Sequence, residues 1–486
     1  MKKVLYILLP AILLVSSCAE DYLDTTPTDA VSETQVFTNT QNAMAALNGI
    51  HRAMFIRYDS QGQPGHGGVM IMSEVMGDDV VMTTQGNGWF VSISRWLTHI
   101  LDTAGDVEFV WKFYYKIIGN ANMLIANIDE AEGPQEDKDI IKGQALAYRA
   151  WAHFQLVQFF AERYEAGGAN SQLGVPIVTE PITEGGPRNT VEEVYAQVHQ
   201  DLDAAMALLT ESREAKSHFN INVVKGIKAR VALTQGNWAA AAQLASEARQ
   251  GINLMNEEQL FDGFNNVSNP EWMWGSRQVT DEQTYFASFF AYMSYNYNST
   301  NIRQNPKAIN SDLYEKMSET DARRGLWDPT GEDIDVPSTY SRMPYMNRKF
   351  ASIGADASVG DVPYMRASEM YLIEAEALAR DGNDAAAAEV LRDFAVTRDP
   401  EYTLSANTGA ALIEEILTQR RIELWGEGFR FLDLKRLNQP LDRTGANHVA
   451  SVINDKFHVP AGDKTWQWLI PRDELNANEH MVQNPL

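Results

Sequence analysis

Two stretches of the sequence combine aromatic residues with amide, carboxylate and guanidinium groups. Flat aromatic rings with polar groups at their edges can bind a ligand that has both apolar faces and hydrogen-bonding groups. The sequence therefore predicts ligand contacts from two sets of residues: Asp78, Asn87, Trp89 and Trp96 in the first stretch, and Tyr285, Tyr295, Tyr297 and Arg303 in the second.

Trp89 is the strongest of these candidates, because the preceding Gly86-Asn87-Gly88 is typical of an exposed turn. For any single aromatic residue of the set, core packing explains its presence at least as well as ligand contact does. Phe286, Phe289 and Phe290 carry no polar group, which favours the core for them.

Other chemistry has little support in the sequence. No His-Glu-x-x-His motif, Gly-x-Ser-x-Gly elbow or phosphate-binding loop is present, so we predict no catalytic residue, no metal site and no cofactor. Asp333 and Asp335 lack the layout of an EF-hand, and a solvated acidic loop is favoured over a calcium site.

Two carboxylates near the C-terminus, Glu423 and Glu427, are the best candidates for an acid and base pair. Arg420 and Arg430 flank them, and nearby positive charge keeps a carboxylate ionised, which does not suit a general acid. On a single helix these four residues would share one face, with the two glutamates between the two arginines. We therefore interpret them as a structural ladder of salt bridges.

The apolar residues of the chain recur mainly with a helical period, which predicts a mainly α fold. The predicted helices cover about 39–57, 106–130, 138–164, 190–210 and 409–437. Thr190 and Glu193 have the spacing of a capping box at the start of the fourth.

A partial internal repeat adds detail to this helical scaffold. Residues 229–248 and 375–394 each contain small residues, a Gly-Asn turn and a run of four alanines, as in a tetratricopeptide helical hairpin. The copies are not separated by a multiple of the tetratricopeptide period, which disfavours a continuous solenoid. We expect a helical scaffold with two loop-rich insertions, at about 58–104 and 252–362, that build a ligand-binding face.

The N-terminus predicts export. Lys2 and Lys3 precede a short apolar run that is typical of a secretory signal, and Ser16-Ser17-Cys18 resembles the lipobox of bacterial lipoproteins. This predicts a signal peptide over 1–17, lipidation of Cys18 and a tether over 18–38, with an ordinary cleaved signal as the alternative.

The net charge of −25 argues against nucleic acid as a partner, because such a surface repels phosphate backbones. Cys18 is the only cysteine of the chain, so an intrachain disulfide is excluded and packing must stabilise the fold.

The order of several motifs resembles the SusD/RagB family of outer-membrane nutrient-binding lipoproteins. The resemblance rests on Cys18 followed by Asp21-Tyr22-Leu23-Asp24, Asn120-Ala121-Asn122, Gly174-Val175-Pro176, Arg188 to Tyr195, the segment Arg420 to Arg436, and the ending Ile470 to Leu475. It implies one SusD-like body over 39–486, in which tetratricopeptide-like hairpins carry a loop-rich face.

The same resemblance implies that the protein is lipid-anchored to the outer membrane, facing the cell exterior. It would capture oligosaccharides without catalysis and deliver them to a SusC-like TonB-dependent transporter. Ligand contacts vary among members, so only regions carry over, at about 74–99 and 270–330. Peptide binding, as in RagB-like members, an all-helical glycoside hydrolase and a purely protein-binding scaffold are the alternatives.

Overall fold

The computed structural model of the chain describes residues 37–282 and 284–486. The predicted signal peptide, Cys18 and nearly all of the predicted tether lie outside these residues. Within the described ranges the chain forms eighteen α-helices: α1 Thr40–Ala53, α2 Gly65–Met76, α3 Val91–Ser94, α4 Gly105–Asn127, α5 Gln135–Phe160, α6 Val191–Leu208, α7 Ile221–Gln235, α8 Trp238–Ala248, α9 Glu257–Leu260, α10 Phe290–Met293, α11 Thr300–Gln304, α12 Ser311–Tyr314, α13 Ala367–Arg380, α14 Asp384–Ala395, α15 Ala410–Glu423, α16 Arg430–Arg436, α17 Ala450–Ile453 and α18 Arg472–Ala477.

The long helices pack in sequence as antiparallel neighbours, α4 on α5, α5 on α6 and α6 on α7. The mainly α prediction is confirmed, and so is the capping box, in which Thr190 Oγ1 accepts a hydrogen bond from the backbone of Glu193 and the Glu193 carboxylate accepts one from the backbone of Thr190. Buried residues on one face of α6, such as Val194 and Val198, join it to the core.

The two repeat copies form the predicted hairpins, α7 with α8 and α13 with α14. Gly236 ends α7 with a φ of +74°, and Gly382 follows α13 with a φ of +81°, a backbone region that glycine adopts without steric cost. Helix α8 packs directly on α13, so the hairpins are neighbours in space although a large insertion separates them in sequence. The insertion therefore leaves the helical stack and returns to it.

Eight short strands accompany the helices in the described part of the chain: β1 Val80–Met82, β2 Trp272–Gly275, β3 Lys307–Ile309, β4 Trp327–Asp328, β5 Met346–Asn347, β6 Pro363–Arg366, β7 Leu441–Asp442 and β8 His458–Val459. Four of them form an antiparallel sheet in the order β1-β3-β5-β4. Val80 pairs with Ile309 and Met82 with Lys307. This sheet joins the first loop-rich region to the second.

The prediction that residues 58–104 form one long loop is wrong in part, because this region contains the twelve-residue helix α2. Eleven of its twelve residues are buried, so the helix has no polar face and no amphipathic period to detect. Its glycines allow close packing. A Cβ on Gly68 would lie 2.9 Å from Pro64 Cδ, and one on Gly67 would lie 3.2 Å from Phe289 Cβ.

The predicted helix at about 409–437 is also wrong as a single element, since α15 ends at Glu423 and α16 begins at Arg430. Gly426 and Gly428 have φ values of +80° and +92°, which a right-handed helix does not contain. The buried Glu74 carboxylate accepts hydrogen bonds from the backbone N–H groups of Gly426, Gly428 and Phe429. The turn is therefore held by a side chain from α2.

The predicted ladder along this segment is wrong, because the turn separates its members. Arg420 pairs with Asp433 at 2.8 Å, and Arg430 pairs with Asp78 at 2.5 Å. Glu423 and Glu427 both pair with Arg366, at 2.9 and 2.7 Å. These ion pairs are buried and connect separate elements, so they stabilise the packing of the C-terminal helices on the rest of the chain.

None of the helices within residues 37–282 and 284–486 combines the length and the hydropathy that crossing a membrane requires.

Candidate functional site

The two predicted ligand regions meet at one place on the surface. The chain leaving β1 is fixed to the chain entering β3, where Thr83 Oγ1 donates to Pro306 O at 2.7 Å and Thr84 Oγ1 donates to Gln304 O at 2.5 Å. The next turn lies over Asn305, and a Cβ on Gly86 would be 3.0 Å from the Asn305 Cβ. The loop that carries Asn87 and Trp89 is thereby held against α11.

A cavity of about 130 Å³ lies between this loop and the segment from Phe286 to Asn301. All of the side chains that form its wall are uncharged, and they combine rings, amides and hydroxyls. The cavity is lined by nine residues: Gln61, Asn87, Trp89, Phe286, Ala291, Tyr292, Ser299, Thr300 and Asn301.

Three aromatic rings shape the cavity. Trp89 is half-buried, and its ring meets that of Tyr292 in a T-shaped contact with centroids 5.9 Å apart. Behind Trp89 lies Gly62, where a Cβ would come within 3.3 Å of the indole. Phe286 is 48% exposed. The Trp89 and Phe286 rings therefore offer apolar surface that a ligand can reach.

Two lining residues carry a buried polar atom with no hydrogen-bond partner among the described residues. These atoms are the hydroxyl oxygen of Tyr292 and the amide oxygen Oδ1 of Asn301. Tyr292 is 2% exposed and Asn301 is 4% exposed. Both atoms are enclosed by the protein, as are the unpartnered Nε1 atoms of the core residues Trp151 and Trp468, and each costs about 1–3 kcal/mol of stability.

The phenol of Tyr292 is a hydrogen-bond donor at neutral pH. Burial raises its pKa above the ordinary value, although the nearby charge of Arg57 acts in the opposite direction. The amide nitrogen of Asn301 donates to Ala291 O at 3.5 Å, which leaves its oxygen as the free acceptor. Both unpartnered atoms therefore lie beneath the surface of the cavity wall, and neither is accessible to solvent.

Two predicted ligand residues lie in the interior instead of at this cavity. The Asp78 carboxylate is buried and pairs with Arg430 at 2.5 Å and with Arg421 at 3.4 Å. Trp96 is 2% exposed, and its Nε1 donates to Met76 O at 2.9 Å. Neither side chain has a surface left for a ligand, so we leave both out of the proposed site.

The predicted residues of the second stretch are divided between surface and interior. Tyr285 is 62% exposed and directly precedes Phe286 in the wall. Tyr297 is buried with its ring 6.0 Å from that of Phe286, and Tyr295 is half-buried against the core. Arg303 is half-buried beside the cavity, where its guanidinium donates to Thr300 Oγ1 at 3.4 Å.

The carboxylate pair Glu423 and Glu427 is part of a buried ion cluster. Burial alone would raise the pKa of Glu423, but the charges of Arg398 and Arg366 outweigh it and hold that pKa well below the ordinary range. Burial would also raise the pKa of Glu427, but the charges of Arg366 and Lys349 outweigh it and lower that pKa. Carboxyl groups in this environment stay ionised, so they are unsuited to donate a proton.

Residues 37–282 and 284–486 contain no group of three His, Cys, Asp or Glu side chains that could hold a metal ion. Asp333 and Asp335 are both exposed. The carboxylate that organises their loop is Asp328, which accepts hydrogen bonds from the backbone of Thr330, Gly331 and Asp333.

A larger groove of about 870 Å³ lies between α4 and the loop that follows Pro176. Its polar groups are already used, since Trp111 Nε1 donates to Glu474 at 3.3 Å and Tyr115 donates to Pro176 O at 2.9 Å. Its wall also includes the acidic residues Glu180 and Glu184. Size alone favours this groove, but the meeting of the two predicted ligand regions and the accessible rings of Trp89 and Phe286 favour the smaller cavity.

Sequence reasoning missed part of the cavity wall. Phe286, assigned to the core because it has no polar group, is largely exposed, whereas Tyr292 and Asn301 belong to the predicted second region without having been selected. A signal did exist, since all three lie in the stretch 281–303, which is rich in Tyr, Phe, Asn, Ser and Thr. Their place in the cavity wall depends on the fold of the insertion, which has no regular period.

A family model and a curated relative both indicate similarity to SusD-like proteins. Residues 21–233 match a SusD-like family described as starch-binding associating with outer membrane. The chain is similar to SusD-like protein P38 of Formosa agariphila, with 22% identity over 525 aligned positions that cover 97% of each chain.

Solved structures agree. A SusD-like carbohydrate binding protein of Bacteroides vulgatus has 27% sequence identity and a TM-score of 0.81, and the match covers 92% of this chain and 98% of that one. A SusD superfamily protein of Bacteroides thetaiotaomicron shares the fold, with 23% identity, a TM-score of 0.80, and coverage of 92% and 100%.

Proposed function

This chain belongs to the SusD-like family, whose members bind carbohydrate and associate with the outer membrane, and we propose that it captures oligosaccharides in the cavity beside Trp89 without catalysing a reaction on them. The contact residues we propose are Asn87, Trp89 and Tyr285 from the sequence prediction, with Phe286, Tyr292 and Asn301 added from the cavity wall. Arg303 flanks this set.

The observation that carries the proposal is the meeting of two distant loops around a cavity in which the accessible rings of Trp89 and Phe286 lie beside amide and hydroxyl groups. Exposed rings beside hydroxyl and amide groups match the alternation of CH faces and hydroxyl rims along an oligosaccharide.

A non-catalytic role is supported by the charges around the cavity. Hydrolysis of a glycosidic bond ordinarily requires two carboxyl groups flanking the bond, and the nine lining residues include none. The buried pair Glu423 and Glu427 is held in ion pairs elsewhere.

We further propose that Cys18 is lipidated and anchors the protein on the outer face of the outer membrane, where it delivers oligosaccharides to a SusC-like TonB-dependent transporter. The exposed apolar side chains of Val279, Tyr285 and Ile353 support a protein partner on this side of the chain. Tyr285 and Ile353 belong to neighbouring backbone segments, since Ser358 donates to Tyr285 O and Ile353 donates to Val359 O.

Isothermal titration of the purified full-length protein against oligosaccharides, with peptides as the contrast set, tests the binding role. Saturable heat with a glycan and unchanged glycan chain length after incubation support the proposal. Heat with peptides alone, or release of shortened glycans, contradicts it. For the anchor, Cys18→Ala is expected to move the protein from the membrane fraction to the soluble fraction, and unchanged membrane association would contradict lipidation.

A further inference from the structure

Two guanidinium groups flank the cavity beside Trp89, and within residues 37–282 and 284–486 neither has a carboxylate partner. Arg57 is exposed, and its only hydrogen bond there is a long one, to Asp59 O at 3.4 Å. Arg303 is half-buried, and its guanidinium donates to Thr300 Oγ1 at 3.4 Å. Both groups therefore keep donors that a ligand can use.

Arg57 stands at the base of a turn that contributes to the cavity wall. Its backbone pairs with that of Pro64 as an antiparallel bridge, and the turn between them carries the lining residue Gln61. Burial raises the pKa of the Tyr292 phenol in this wall, and the charge of Arg57 opposes that rise. The guanidinium of Arg57 is therefore close enough to the wall to act on it electrostatically.

Arg303 belongs to α11, whose first two residues, Thr300 and Asn301, line the cavity. Burial raises the pKa of the nearby Tyr340 phenol, the charge of Arg303 lowers it, and the charge of Asp356 raises it. Asp356 is thus the acidic side chain of this neighbourhood, and it is exposed and forms no ion pair with Arg303. The two arginines therefore lie on separate elements that both contribute to the cavity wall.

Unpaired arginines are unexpected in a chain with 65 acidic and 40 basic residues. Arginines close to them in the sequence do find carboxylates, Arg52 with Glu282 at 3.5 Å and Arg348 with Asp328 at 3.2 Å. A guanidinium presents a planar fork of donors that matches the oxygens of a carboxylate or a sulfate. Two such forks beside one cavity therefore favour an anionic ligand group.

The cavity and its flanks suit different parts of such a ligand. At about 30 Å³ per water molecule, 130 Å³ corresponds to roughly four waters, which is room for one edge of a sugar ring. The nine lining residues are uncharged, and burying a charge without a countercharge is costly. The ring edge therefore enters beside Trp89 and Phe286, while a charged substituent stays at the flanks, where Arg57 and Arg303 supply the countercharge.

We infer that the site takes an oligosaccharide with an anionic substituent, a carboxylate or a sulfate ester, and that Arg57 and Arg303 bind this substituent. This inference deepens the proposed function and rests on it. The net charge of −25 repels an anion at long range, but salt limits that repulsion to about 10 Å at 0.1 M ionic strength. Direct contact with the two guanidiniums therefore decides the affinity.

Matched glycan pairs test the inference by isothermal titration of the full-length protein. In the carboxylate arm, oligogalacturonates and alginate oligosaccharides are each compared with their carboxyl-reduced forms. In the sulfate arm, sulfated galactan oligosaccharides are compared with their desulfated forms. Neutral hexasaccharides of glucose, mannose and galactose complete the panel.

We expect an anionic probe to bind at least about tenfold more tightly than its neutral counterpart, because the charge-assisted hydrogen bonds are lost in the latter. Its affinity should fall at least about threefold between 50 and 500 mM NaCl, since these contacts are screened. The arm that binds distinguishes a carboxylate from a sulfate ligand.

Tighter binding of a neutral counterpart, or of a neutral hexasaccharide, than of every anionic probe would overturn the inference and leave the proposed function intact. Failure of every glycan to bind would overturn the proposed function, and this inference with it.

Arg57→Gln and Arg303→Gln remove the two charges separately. Each should weaken binding of the anionic probe by at least about fivefold and change the affinity for its neutral counterpart by less than about twofold. Arg392→Gln is the matched control, because it makes the same change in net charge at an arginine that is 38% exposed on α14 of the helical stack.

The Arg392→Gln control should keep the wild-type affinity for every probe. Unchanged affinity for the anionic probe in both folded cavity variants would overturn the inference. An equal loss in the control would overturn it as well, because the effect would then come from net charge alone.

Discussion

Trp89 and Tyr292 belong to different loop regions, yet their rings meet edge to face with centroids 5.9 Å apart. The contact forms because β1 pairs with β3, which brings the loop after β1 against the segment before β3. The aromatic wall of the cavity is therefore a product of the small four-stranded sheet, and the helical stack supports it from outside the site.

Replacing Trp89 with alanine is expected to weaken oligosaccharide binding by at least tenfold, equivalent to about 1.4 kcal/mol, because the largest ring of the cavity wall is lost. The cost in unfolding free energy should be modest, about 1 kcal/mol, since the ring is only half-buried. Isothermal titration and denaturant unfolding measure the two effects separately.

Trp238→Ala is the matched control for this change. Trp238 is also a half-buried tryptophan, but it lies on α8 of the helical stack and is not part of the cavity wall. The control should lose similar stability and keep its affinity. If both variants lose affinity equally, the effect of Trp89→Ala is one of folding and the site assignment is wrong.

Gly428→Ala is expected to destabilise the protein by more than about 2 kcal/mol. Its φ of +92° is unfavourable for alanine, and a Cβ would lie 3.0 Å from Met70 Cα, a backbone atom that cannot move aside. Gly382→Ala is the control, since its φ is +81° but no atom lies within 4 Å of the new Cβ.

The Gly382→Ala control should lose about 1 kcal/mol of unfolding free energy, because only its positive φ value is unfavourable for alanine. Equal losses in urea unfolding for the two variants would contradict the close packing of the turn at Gly428 on α2.

Glu423→Gln is expected to destabilise the protein by about 3–5 kcal/mol, because it leaves buried arginine charge without its full set of partners. Arg366 and Arg398 both pair with this carboxylate, at 2.9 and 3.0 Å. The control Glu247→Gln removes a more exposed pair with Lys225 and should cost about 1 kcal/mol or less.

Chemical denaturation compares the two glutamate variants. A fully stable Glu423→Gln protein would contradict a structural role, and it would reopen the interpretation of this carboxylate as a functional group.

The pH dependence of stability should include a contribution from Glu74. Burial and the charge of Asp79 raise the pKa of Glu74 to about 7, despite hydrogen bonds from the backbone of Phe429 and Gly428. A carboxyl group whose folded pKa is raised binds its proton more tightly when folded. Its favourable contribution is therefore complete below about pH 4.5 and is lost as the pH rises through 7.

Glu74→Gln should remove this contribution, because the neutral amide does not titrate. The measurement is the difference in unfolding free energy between wild type and variant at pH 5, 6, 7 and 8. Wild type should lose stability relative to the variant as the pH rises, and a constant difference would refute the raised pKa.

The sequence predicts the helical scaffold well because its signals are local. Thr190 and Glu193 form the capping box that their spacing indicates, and the Gly-Asn turns at Gly236 and Gly382 end helices as expected. The predictions fail where tertiary contacts override a local pattern. Helix α2 is buried on nearly every side, so no amphipathic period marks it.

The sequence predicts the two regions that form the site, but it identifies only some of the residues in the cavity wall. Asn87 and Trp89 lie in the cavity wall because a Gly-Asn-Gly turn is exposed by its own backbone preferences. Asp78 and Trp96 have suitable chemistry but are held in the interior by Arg430 and by the carbonyl of Met76. Such partners come from distant parts of the chain, which local patterns do not identify.

The most direct test of the central claim is a crystal structure of the protein with the oligosaccharide that binds it most tightly. The account predicts a sugar ring in the cavity beside Trp89, in contact with the rings of Trp89 and Phe286. An oligosaccharide bound in the larger groove between α4 and the loop after Pro176, with the Trp89 cavity occupied by water alone, would contradict it.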